Sequence, residues 1–217
     1  MGTLWVFGDS FTNGDGCIET KGIRDGGFKY YYEYKKDGDN IWPNHLGNLL
    51  NLEVKNCGIT GASNDKIIDR IIDEFDNFKK DDIVLIQKTF SQRFDTPSNN
   101  ELETHFGESL TIMAEDLEKN PHIKNKSELE CVLNYGVLFS DSILFKERHD
   151  KRFNFIKNVV DSKVYKCHMW DIFHFMTSFE NIFQHTEGKI IDYHLSFNGH
   201  KNFADTYYKL LSNKTLI

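Results

Sequence analysis

The chain is poor in proline, with three in 217 residues, and none of its four cysteines forms a Cys-x-x-Cys pair. Few prolines beside eighteen phenylalanines describe an ordered globule rather than a disordered tail. Cys17, Cys57, Cys131 and Cys167 are too scattered for a zinc site, and a disulfide framework is not expected at this length. The expectation is reduced, mostly buried thiols. His45, His105, His149, His168, His174 and His185 fall at no ligand spacing, so neither a metal nor a cofactor is expected. No apolar run reaches the ~18 residues of a membrane span, so no membrane partner is expected. A basic balance is missing as well. The formal net charge of −7 argues against a nucleic-acid partner, which would need a basic face. Met1-Gly2-Thr3 meets the first apolar stretch with no basic leader, and Val6 lacks the hydroxyl of a myristoylation signal. These features predict cytoplasmic synthesis.

What is present is an alternation of strands and helices, without internal repeat or low-complexity linker. Thr3 to Phe7 reads as a buried strand, Leu52 to Asn56 as a short one, Ile83 to Ile86 as the next and Val164 to Met169 as a fourth. Trp42, Leu46, Leu49 and Leu50 recur at helical spacing. Ser63 is placed to cap a helix with the face Ile67, Ile68, Ile71, Ile72 and Phe75. Leu102, Phe106, Leu110, Met113 and Leu117 predict a further helix, stopped near Pro121. Residues 127 to about 160 read as helical, broken near His149-Asp150, and Asn198-Gly199 opens a final helix. The pattern predicts one α/β domain over residues 1–217, a three-layer α/β/α sandwich on a short parallel sheet, flavodoxin-like in class. Residues 14–40 and about 120–160 are expected as excursions. The first of these carries an aromatic cluster, Phe28, Tyr30, Tyr31, Tyr32 and Tyr34. Such rings pack over sheets and also stack on sugars.

In parallel sheets, ligands sit at the carboxyl ends of the strands. The first strand ends at Gly8-Asp9-Ser10, which delivers Ser10 to that edge. A serine hydroxyl becomes a nucleophile when a neighbouring base takes its proton. Histidine suits that task near neutral pH, and an acid must hold its tautomer. Asp192 and His194 lie together just before the last helix and are the candidate partners. Asp9 is expected to brace the turn by hydrogen bonds, and His200 to pack or cap locally. The Gly-x-Ser-x-Gly elbow of the other large serine-hydrolase class is absent around Ser10.

Gly-Asp-Ser-Phe near the amino terminus, with Asp-x-His-x-Ser-x-x-Gly-His about 20 residues from the end, resembles the SGNH (GDSL-type) hydrolases. Asn56-Cys57-Gly58-Ile59-Thr60-Gly61-Ala62-Ser63-Asn64 is similar to the second block of that family. The resemblance implies a serine esterase with Ser10 as nucleophile, His194 as base and Asp192 as its orienting acid. It further implies an oxyanion hole built from the backbone N–H groups of Ser10 and Gly61, each such donor contributing about 3 to 4 kcal/mol. Two features depart from the family pattern. Asp192 stands two residues before His194 rather than three. The third strand leads not into Gly-x-Asn-Asp but into Gln87-Lys88-Thr89-Phe90-Ser91-Gln92-Arg93-Phe94-Asp95. That stretch looks like a Thr-x-x-x-Arg-Phe-acid variant of divergent, often phage-encoded, members. Thr89 or Ser91 is the expected replacement donor. Arg93 is expected to bind an acidic group or to pair with Asp95, and Phe11 and Asn64 complete the candidate substrate contacts, although Asn64 is better placed to start a helix than to meet the substrate.

The expected substrate is a small-molecule or glycan ester, with acetyl as a plausible acyl group. Two alternatives stand beside it: a carbohydrate-binding or structural module with weakened catalysis, and an acyltransferase using the same residues. Lys-, Asn- and Ile-rich usage suggests an AT-rich genome, bacterial or phage. The sequence sets no oligomeric state.

Overall fold

The computed structural model describes residues 2–14, 40–91, 93–98, 101–106, 143–171, 195 and 197–212. Asp192, His194, the aromatic cluster of residues 28–34 and the helical stretch expected over 107–117 lie outside them.

Among the described residues four parallel strands form the sheet: β1 (Thr3–Phe7), β2 (Glu53–Asn56), β3 (Ile83–Lys88) and a strand at Lys166–Asp171, in the order β2-β1-β3 and then Lys166–Asp171. Leu4 pairs with Val54 on one side and with Ile83 on the other, which makes β1 an inner strand. Its residues alternate between two apolar layers, as a period of two requires. Leu4 and Val6 join Leu85, Trp42, Leu46, Phe203 and Tyr207. Trp5 and Phe7 join Val84, Ile86, Ile67, Ile68, Ile71 and Phe153. Strands buried on both faces are continuous apolar runs, and each large apolar side chain so buried contributes about 1.5–3 kcal/mol. The architecture is the expected α/β sandwich.

The helices are α1 (Ser10–Asn13), α2 (Trp42–Leu50), α3 (Asn64–Glu74), α4 (Ile143–Asp161) and α5 (Phe197–Ser212). Pro43 in the first turn of α2 suits a position whose N–H has no helical partner. Ser63 caps α3 by accepting from Lys66 N at 3.1 Å. Asp82, 1% exposed, accepts from Thr3 N, Trp5 Nε1 and Lys79 N at 2.8 to 2.9 Å, which fixes the amino-terminal end of β1.

Several expectations are corrected. Residues 101–106 are not helical: β4 (Arg93–Ser98) and β5 (Glu101–Phe106) pair antiparallel as a separate two-stranded sheet. Leu102 and Phe106 are four residues apart, a spacing that fits one face of a helix and one face of a strand equally. The Lys166–Asp171 strand, β6, starts two residues later than expected, because Val164 still closes the end of α4 by donating to Val160 O at 3.1 Å. Helix α4 runs unbroken through His149-Asp150, a stretch with no Gly or Pro to interrupt it. Its Phe153 and Val160 are core residues, so residues 143–160 belong to the body of the domain rather than to an excursion.

Candidate active site

Ser10 is the first residue of α1, directly beyond the carboxyl end of β1, and is 5% exposed. Asp9 precedes it as the N-cap, wholly buried, and its carboxylate collects four donors. Oδ1 accepts from Phe11 N at 3.1 Å and from Gln87 Nε2 at 2.6 Å. Oδ2 accepts from Thr89 Oγ1 at 2.6 Å and from Arg93 Nη1 at 2.9 Å. A carboxylate satisfied on both oxygens holds its backbone rigidly, so the expected bracing role of Asp9 is met by partners from β3 and β4. Gln87, fully buried, also accepts from Thr12 Oγ1. Gly8 has no room for a side chain, because a Cβ there would lie 2.3 Å from Thr12 Oγ1 and 2.6 Å from Gln87 Oε1.

The loop after β2 is stitched to the same turn. Cys57 N donates to Val6 O at 2.8 Å and Ile59 N to Gly8 O at 3.0 Å, continuing the β1 ladder past the strand end. Asn56 Nδ2 donates to Thr12 O at 2.9 Å, and Asn13 Nδ2 to Thr60 Oγ1 at 2.8 Å. Gly61 has a φ of 70°, a conformation that favours glycine, and among the described residues nothing lies within 4 Å of the position a Cβ would take.

The remaining candidates fall as follows. Thr89 donates its hydroxyl hydrogen to Asp9, so that hydrogen is not directed at a developing oxyanion. Ser91 is half-buried in the turn leading into β4. The Arg93 side chain meets Asp9, and its Nη1 also donates to Ala62 O at 3.0 Å, whereas Asp95 accepts from Ser63 Oγ and lies 4.0 Å from Lys66 Nζ. Phe11 is 5% exposed and sits in the core with Val6 and Trp42 rather than on a substrate surface. Asn64, 2% exposed, exchanges two hydrogen bonds with the backbone of Thr89, at 2.9 and 3.1 Å, and so locks α3 to the end of β3.

His200 departs from local capping. It lies in the first turn of α5, fully buried, and its Nδ1 accepts from the backbone N–H of Trp42 at 3.1 Å. It therefore satisfies the N–H of the first residue of α2. Trp42 Nε1 in turn donates to Phe11 O at 2.9 Å. Gln87 was missed by sequence reasoning; a polar residue ending an otherwise apolar strand was the available signal.

Burial drives two thiols away from reactivity. The Cys167 thiol is pushed up to about 12, and the Cys57 thiol is also raised, chiefly by burial. Among the described residues no group of three or more His, Cys, Asp or Glu is arranged to hold a metal ion, and no helix is long and apolar enough to cross a membrane.

No protein-family model and no curated protein matches the chain. Solved structures similar to it include a member of the lipolytic G-D-S-L family from Veillonella parvula, at 12% identity over 98% of each chain with a TM-score of 0.41. A carbohydrate esterase described as having divergent catalytic and non-catalytic binding functions matches at 12% identity over 98% of this chain and 69% of its own, with a TM-score of 0.46. A variant of an acetyl xylan esterase from Geobacillus stearothermophilus matches at 16% identity over 97% and 94%, with a TM-score of 0.39.

Proposed function

We propose that this protein is a serine ester hydrolase of the SGNH type, removing a small acyl group such as acetyl from a carbohydrate or a similar ester. The observation that carries the reading is the setting of Ser10: a serine opening a helix at the carboxyl end of an inner strand, on a turn whose preceding carboxylate is held by four donors. Ser10 Oγ attacks the acyl carbonyl as its proton passes to His194. The tetrahedral intermediate places its negative oxygen on the N–H groups of Ser10 and Gly61, with the Ser91 hydroxyl as third donor. The alcohol leaves with the proton from His194, water adds to the acyl-Ser10 ester by the same route, and the acid is released. Asp192 holds the imidazole in the required tautomer.

The described neighbours of His194 favour its approach to Ser10. Leu195, next to it in sequence, is 2% exposed and shares an apolar cluster with Phe11, next to Ser10. His200 is tied through Trp42 to the Phe11 carbonyl.

Two observations favour a second reading. The Thr89 hydroxyl is committed to Asp9, and the chain has no asparagine at the family's third-block position. A module that binds acylated glycans with little turnover fits those two facts. Acyl release from nitrophenyl acetate and from acetylated glycans separates the readings. The hydrolase turns over, and Ser10→Ala, His194→Ala and Asp192→Asn each lose activity. Glycan binding without turnover selects the module, and turnover only with an added sugar acceptor selects acyl transfer.

A further inference from the structure

Arg93 is the first residue of β4, and its Nη1 spans the Ser10 turn and the Gly61 loop. It donates to Asp9 Oδ2 at 2.9 Å and to Ala62 O at 3.0 Å. Asp9 is the residue before Ser10, and Ala62 is the residue after Gly61. Both partners are fully buried, and the Arg93 side chain is only 14% exposed. Ala62 is also held from its other side, its N–H donating to Ile59 O at 3.1 Å. Gly61, at a positive φ of 70°, directly precedes this fixed residue. The Arg93 guanidinium carbon lies 5.3 Å from the centre of the Phe90 ring, which supports the side chain from the turn before β4.

We propose that Arg93 is a positioning residue: its guanidinium clamps the Ser10 turn to the Gly61 loop, so that the two backbone N–H groups converge on one oxygen. This rests on the esterase reading above. Arginine suits the task, because it stays charged when buried and one planar group can serve a carboxylate and a carbonyl together. A neutral replacement leaves Asp9 in the interior without its cation, free to turn away from the geometry its other three donors prefer. The loss falls on stabilisation of the developing oxyanion, not on substrate contact.

The test compares the full chain with Arg93→Ala and Arg93→Gln, reading kcat and KM on nitrophenyl acetate and amide hydrogen exchange over residues 58–63. The clamp predicts a fall in kcat of ~100-fold with KM within about threefold, as for loss of alignment in the transition state. It also predicts faster exchange across 58–63 in both variants, with Arg93→Lys recovering part of both properties. Unchanged kcat, or a rise in KM alone, overturns it, the second outcome making Arg93 a substrate contact. Should the parent fail to hydrolyse any ester, the esterase reading falls, and exchange over 58–63 still decides the clamp: rates equal to the parent overturn it. Should Arg93→Ala fail to fold, Arg93→Gln carries the same comparisons.

Discussion

The Nδ1 atom of His200 accepts the backbone N–H of Trp42 at 3.1 Å, a bond between residues 158 apart in sequence. It ties the first turn of helix α5 to the start of helix α2. His200→Ala therefore removes the side-chain acceptor of the Trp42 N–H and a buried ring together. A loss of about 1–3 kcal/mol is expected from that buried N–H left unsatisfied. Urea unfolding checks this, with the midpoint falling at an unchanged slope.

Gly8 and Gly61 respond differently to a single methyl group. A Cβ at Gly8 collides with Thr12 and with Gln87, part of the network under Ser10, whereas one at Gly61 meets none of the described residues within 4 Å. Gly61→Ala costs roughly 1 kcal/mol for its positive φ, with the fold retained. Gly8→Ala costs more, of the order of 1–3 kcal/mol for overpacking, with loss of activity. Thermal melting of both variants checks the order, and a reversed order contradicts the packing described.

Asp82 offers a contrast at the opposite end of the sheet. Its carboxylate holds three N–H donors and lies far in the fold from the Ser10 turn. Asp82→Ala strands those donors and is expected to cost about 2–4 kcal/mol, at 1–3 kcal/mol per buried group left unsatisfied and partly rehydrated. The kcat of the protein that remains folded is expected to match the parent.

Asp65 gives a pH signature. The His149 ring, whose Nε2 lies 3.6 Å from its Oδ1, and then the charge of Arg152 hold its carboxyl below the ordinary 3.8, against the opposing effect of burial. A depressed carboxyl stabilises the fold fully above the unfolded value and ceases to do so as pH falls from 3.8 through the lower folded value. Asp65→Asn is therefore less stable than the parent at pH 7, by ~1 kcal/mol or less for so exposed a pair. The two melting temperatures converge below pH 3.8; a constant gap down to pH 2 contradicts the assignment.

The strands β1, β2 and β3 and the helices α2 and α3 were legible because apolar periodicity, the Ser63 cap and Pro43 point the same way within each segment. The β4–β5 hairpin was not, because the spacing of Leu102 and Phe106 serves two periodicities. The continuity of α4 was hidden by a charged stretch whose His149 and Asp150 find their partners, Asp65 and Lys88, on other elements. The same limit applies at the candidate site. Ser10 and Gly61 could be named from local motifs, whereas the pairing of Arg93 with Asp9, 84 residues away, depends on how the chain turns from β3 into β4. Phe11 and Asn64 looked like substrate contacts by proximity in sequence to Ser10 and Gly61, and burial makes both structural.

The most direct test of the central claim is chemical labelling of Ser10. Intact protein is treated with a fluorophosphonate, and the modified peptide is located by mass spectrometry, with Ser10→Ala and His194→Ala alongside. An activated Ser10 gives one phosphonyl adduct on that residue, absent from Ser10→Ala and strongly slowed in His194→Ala. An unmodified Ser10, or labelling at the same rate without His194, contradicts the account.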